Sequence, residues 1–90
     1  MKRYVIERDI PGIGAMSAEE LSQAAQTSNA ALEKLAPKIQ WQHSYVTADK
    51  TFCVYLAQDQ DVIRKHAEIS GFPANVVTEV TGMIDPTTGG

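Results

Sequence analysis

Ile39-Gln40-Trp41-Gln42-His43-Ser44-Tyr45-Val46-Thr47-Ala48-Asp49-Lys50-Thr51-Phe52-Cys53-Val54-Tyr55-Leu56-Ala57 decides how the chain folds. Aromatic and β-branched residues fill both ends and Ala48-Asp49-Lys50 interrupts them. The stretch therefore reads as two strands, Ile39 to Thr47 and Thr51 to Ala57, joined by a short hairpin loop. Loop length sets which side chains share a face. With Asp49 at the centre of a three-residue loop, Thr47 pairs with Thr51, and Trp41, His43 and Tyr45 lie with Cys53, Tyr55 and Ala57. Val46, Phe52, Val54 and Leu56 then form the other face. A two-residue loop shifts the pairing by one and sets Cys53 and Tyr55 across from Ser44 and Gln42. The three-residue register is preferred because it separates a polar-aromatic face from an apolar one.

Upstream of the hairpin, Ser17-Ala18-Glu19-Glu20 is a capping box, with Met16 and Leu21 at its two staple positions. Leu21, Ala24, Ala25, Ser28, Leu32 and Leu35 recur at helical steps, and the helix must end before Pro37. Further back, Tyr4 to Arg8 is strand-like and is stopped by Pro11-Gly12-Ile13-Gly14, expected to be a flexible turn. Downstream, Asp59 caps a second helix, Gln60 to Ser70, with Gly71 as its left-handed closing residue and Val62, Ile63, Ala67 and Ile69 as its apolar stripe. Pro73-Ala74-Asn75 makes a turn, and Val76 to Val80 begins a last strand reaching toward Ile84.

The order strand, helix, strand, strand, helix, strand predicts an α+β domain of the ferredoxin-like βαββαβ kind. Its four-stranded antiparallel sheet carries both helices on one face. Residues 1–85 form this single domain and residues 86–90 a tail without core residues. The second face of the sheet is left bare. Trp41, Tyr45, Phe52, Val54, Leu56, Val76 and Val80 cannot all lie beneath two short helices, so a homodimer is expected to cover the excess.

Composition narrows the function classes. A chain of 90 residues has one core, burying roughly 60–65% of the surface its unfolded form exposes. With 43% apolar and 21% charged residues it is expected to fold. The net charge of −3 and the lack of a Lys/Arg cluster argue against a nucleic-acid surface, and no apolar run approaches the ~20 residues of a membrane span. The lone Cys53 excludes an internal disulfide framework, and no leader-like segment opens the chain, so the cytoplasm is the expected compartment. The partner is then expected to be a metal ion, a small molecule or another protein chain.

Both histidines of the chain bear on chemistry. His66 follows Val62 by four residues and Ile63 by three, in the stripe that the second helix turns toward the sheet. If Val5 and Glu7 face the helices, Glu7 reaches the same side as His43. Glu7, His43, Cys53 and His66 then form an inward group ringed by Trp41, Tyr45 and Tyr55. Imidazole, thiolate and carboxylate together suit a first-row divalent metal such as nickel, zinc or copper. No two of them stand at a recognised ligand spacing, so only the fold can gather them. Each also has a plainer structural reading, as core histidine, small buried cysteine or space-filling aromatic. An enzyme would use the same residues differently, with His43 or His66 as general base and Tyr45 or Tyr55 donating to an oxyanion. There is no nucleophile elbow, and Gly12-Ile13-Gly14 lacks the third glycine of a dinucleotide fingerprint.

Several stretches resemble a small bacterial domain family of unknown function: Tyr4-Val5-Ile6-Glu7-Arg8-Asp9-Ile10-Pro11-Gly12, Trp41-Gln42-His43-Ser44-Tyr45-Val46, Phe52-Cys53-Val54-Tyr55, His66-Ala67, Gly71-Phe72-Pro73-Ala74 and Asp85-Pro86-Thr87. The described representative of that family is a dimeric nickel-binding protein of ferredoxin-like fold. The resemblance covers nearly the whole chain. It implies a homodimer holding nickel or another divalent transition metal, with His43 and His66 the first positions to carry over and Glu7 and Cys53 behind them. The rival expectations are a cofactor-independent enzyme of the dimeric α+β barrel type, acting on a small organic substrate, and a dimerisation domain without a ligand.

Overall fold

A computed structural model describes residues 1–90. Strands β1 (Lys2–Asp9), β2 (Ile39–Val46), β3 (Lys50–Ala57) and β4 (Val76–Val80) alternate with helices α1 (Ala18–Leu35) and α2 (Gln60–Ser70) in the order the hydropathy pattern predicts. The strands lie in the order β2-β3-β1-β4, with every neighbouring pair antiparallel. This is the ferredoxin-like α+β arrangement. No helix is long and apolar enough to cross a membrane.

The helix ends follow their local chemistry. Ser17 Oγ accepts from the Glu20 N–H at 3.1 Å while the Glu20 carboxylate accepts from the Ser17 N–H at 3.0 Å, satisfying two amides that the first turn leaves free. Asp59 Oδ1 accepts from the Val62 N–H at 3.0 Å to start α2, which Gly71 ends at φ +81°. Tyr4, Ile6, Ile39, Cys53, Tyr55, Ala57, Val62 and Ile63 make the core between the sheet and the helices. The two helices meet at a buried hydrogen bond, Ser28 Oγ to His66 Nε2, 3.2 Å.

The phase of β1 differs from the expected one. Tyr4, Ile6 and Arg8 are buried beneath the helices, so Val5 and Glu7 face the other way. The physical reason is area: Tyr4 and Ile6 together remove more apolar surface from water than Val5 does.

The hairpin departs from its preferred register too. The Thr47 N–H donates to Lys50 O at 2.9 Å, so the loop is the two-residue Ala48-Asp49 and Val46 stands opposite Thr51. A β-bulge then interrupts β2 between Trp41, opposite Tyr55, and His43, opposite Val54. The bulge turns Trp41 under the helices and leaves His43 and Tyr45 on the uncovered face.

The Pro11–Gly14 turn is pinned to this loop rather than flexible. The Gly12 N–H donates to Asp49 Oδ1 at 2.9 Å, and the Gly14 N–H to Ala48 O at 3.0 Å. A Cβ on Gly14 would stand 2.7 Å from Thr47 O, so only glycine permits the approach. At the other end β4 stops at Val80 instead of reaching Ile84, which is 83% exposed. Pro86–Gly89 forms an exposed 3-10 turn capped by Asp85.

Candidate functional site

The sheet divides the expected site residues between its two faces. Cys53, Tyr55, Trp41 and His66 lie on the helix-covered side, whereas Glu7, His43 and Tyr45 belong to the open side. The expected inward group of Glu7, His43, Cys53 and His66 therefore does not assemble within the chain. Two features separate it: the two-residue loop, which sets Ser44 and not His43 opposite Cys53, and the phase of β1, which turns Glu7 away from the helices. No three His, Cys, Asp or Glu side chains come together anywhere in the chain.

On the covered side, α1 and the sheet form the walls of a half-open cavity of about 170 Å³. Leu21, Ala24, Ala25, Trp41 and Val46 give it mostly apolar walls, and Arg8, Ser28, Thr51, Cys53 and Tyr55 bring polar atoms to it. Its rim is open, since Leu21 and Trp41 are half-buried and Val46 is exposed. Trp41 is held there by donating from its indole N–H to Ser44 Oγ at 2.9 Å, a bond that spans the bulge.

Arg8 is the unforeseen member of this group. Only 3% exposed, it donates from Nη1 to the carbonyls of Pro73 at 2.9 Å and Phe72 at 3.4 Å, and its guanidinium lies 5.9 Å from the centre of the Tyr55 ring. Nη2 is buried without a partner. The four ion pairs of the chain all use lysines: Lys2–Glu79, Lys50–Glu7, Lys50–Asp9 and Lys65–Glu68, so no carboxylate neutralises Arg8. In the sequence Arg8 reads as the polar end of a strand. The signal that could have found it is its even-numbered phase with Tyr4 and Ile6.

These surroundings tune the titratable groups. His66 is fully buried, and desolvation, assisted by the Arg8 charge, lowers its pKa to about 4, so it is neutral near pH 7. Its Nδ1 has no partner. Burial pushes the Tyr55 hydroxyl up, against the opposing pull of Arg8. Both imidazole and phenol are therefore uncharged, and the guanidinium is the charged group of the cavity.

The open face has a different character. Val5, Phe52, Val54 and Leu56 are half-buried with no element above them, and Val76 is 45% exposed. His43 is exposed there, its ring edge-on to Tyr45 with centroids 5.1 Å apart. Glu7 stands two strands away from His43, where it pairs with Lys50 at 3.8 Å.

An antiparallel sheet with two helices on one face, a partly polar cavity beneath α1 and an exposed histidine on the other face defines a small ferredoxin-like α+β protein. The family described as nickel responsive protein SCO4226-like matches residues 4–80, and the chain belongs to it. The crystal structure of SCO4226 from Streptomyces coelicolor A3(2) superposes with a TM-score of 0.76 at 14% identity, covering 91% of this chain and 99% of that one, a likeness of fold. A comparison with curated proteins finds no match.

Proposed function

We propose that the protein is a nickel-binding homodimer in which His43, on the open face of the sheet, anchors the ion and a second copy supplies the remaining donors. The observation that carries this reading is the exposed His43 imidazole beside an apolar sheet face that nothing in the protomer covers. Imidazole nitrogen is a good donor for nickel, and membership of a family described as nickel responsive makes that ion the first choice. Because one chain gathers no three donors, a complete site needs a partner, and a two-fold contact doubles every donor it brings together. Glu7 is the second open-face donor. Cys53 and His66 face the covered side and take no part in this reading.

Equilibrium dialysis of untagged protein against nickel chloride, with sedimentation velocity on the same samples, tests it. Retained nickel and a dimer are expected for the native chain, with nickel lost in His43→Ala and kept in His66→Ala. Native protein that retains no nickel, or His43→Ala retaining as much as native, overturns it.

A further inference from the structure

The cavity under α1 poses an electrostatic problem that the nickel reading leaves unsolved. A guanidinium carries a full positive charge at any ordinary pH, and burying a charge without a counter-ion is costly. Arg8 is buried against two neutral carbonyls and an aromatic ring, with Nη2 unpartnered and no carboxylate in ion-pair range. Folding has placed it in the lining of a half-open cavity instead of on the surface. We propose that this cavity binds a small organic monocarboxylate, the carboxylate meeting the Arg8 guanidinium and the apolar body lying between α1 and Trp41.

The lining defines the ligand class. Arg8 supplies one fixed positive charge, suited to one carboxylate, with Ser28 and Thr51 as the nearby hydroxyls. The Ser28 hydroxyl is oriented by its bond to His66. Ala24 and Ala25 leave room on the helix side, and Leu21, Trp41 and Val46 offer an apolar wall. At the ~10–15 Å³ that one water-sized group needs, a volume of about 170 Å³ accepts an acid with on the order of ten non-hydrogen atoms. A dianion such as phosphate fits less well, because a single cation leaves its second charge unpaired among apolar walls. Binding here is independent of His43 and of nickel, since the two regions lie on opposite faces of the sheet.

Trp41 lines the cavity and is the chain's single tryptophan, so its fluorescence reports occupancy directly. The experiment titrates native protein with 3-phenylpropionate, with its neutral amide and with inorganic phosphate, following Trp41 emission and thermal melting. Expected is a saturable emission change and a raised melting temperature with the carboxylate, and binding at least about tenfold weaker with the amide, which cannot form the charged pair. Arg8→Met should lower carboxylate affinity by a similar factor. Ala25→Leu, which fills the cavity without touching the charge, should abolish binding and serves as the second variant if Arg8→Met does not fold. No response to the carboxylate at millimolar concentration, equal response to the amide, tighter binding of phosphate, or native affinity in both variants overturns the proposal.

Discussion

The two faces of this one sheet differ in how completely the chain itself covers them. Beneath the helices, Tyr4, Ile6, Tyr55 and Ile63 are at most 2% exposed, and the polar groups among them are partly held by neighbours: Ser28 bonds His66 and Arg8 bonds the carbonyls after α2, while Arg8 Nη2 and His66 Nδ1 have no partner. On the far side, Val5, Val54 and Leu56 form an apolar floor under solvent, edged by the Lys50 ion pairs and by His43. A covered face and an uncovered one lie back to back through a single layer of backbone. The lesson is that burial within the chain identifies the groups that answer to folding, and exposed apolar surface identifies those that folding of this chain leaves uncovered.

The sharpest way to break that contrast is to truncate apolar side chains on each face in turn, the covered one first. Ile6→Ala and Ile63→Ala remove fully buried groups and should each cost about 2–5 kcal/mol in urea unfolding. A loss under about 1 kcal/mol at both would mean that the covered side is not a packed core.

Acid should act on the covered face through His66. Its pKa is lowered to about 4 in the folded state against an ordinary 6.5, so between these values the unfolded chain binds more protons. Stability from this group is complete above about pH 6.5 and is lost as pH falls toward 4, by on the order of 2–3 kcal/mol. Urea midpoints measured across that range should fall for the native chain and flatten in His66→Gln. An equal slope in both would remove His66 as the cause.

On the open face, Val54→Ala is expected to cost under about 1 kcal/mol in dilute protein, since the side chain is only half-buried there. At concentrations where a dimer forms the cost should grow. Melting temperatures over a hundredfold dilution series read this directly, and an effect independent of concentration would argue that nothing covers the face. Smallest of all should be Lys50→Ala. Its contacts to Glu7 and Asp9, 3.8 and 3.6 Å long and partly solvated, should contribute about 0–1 kcal/mol and fade with added salt.

How legible the molecule is in its sequence differs from one level to the next. The order of elements, the Ser17 capping box, the Asp59 cap and the Gly71 ending are all local, each set by residues within one turn of the feature, and so they can be read directly. The inward turn of His66 follows from helical spacing in the same way. The candidate sites are not local. A strand side chain changes face with every single-residue shift, so the loop length at Ala48-Asp49 and one bulge at Gln42 were enough to part His43 from Trp41 and Tyr55. No residue in that stretch announces the bulge. Arg8 was hidden for a related reason: its burial depends on the phase of β1, which is settled only when Tyr4 and Ile6 find the helices. Composition and periodicity by themselves determined a ferredoxin-like chain with two histidines and a surplus of apolar sheet. Tertiary packing alone decided which of those groups share a cavity, because a strand's two faces are distinguished by what packs against them and not by the residues between.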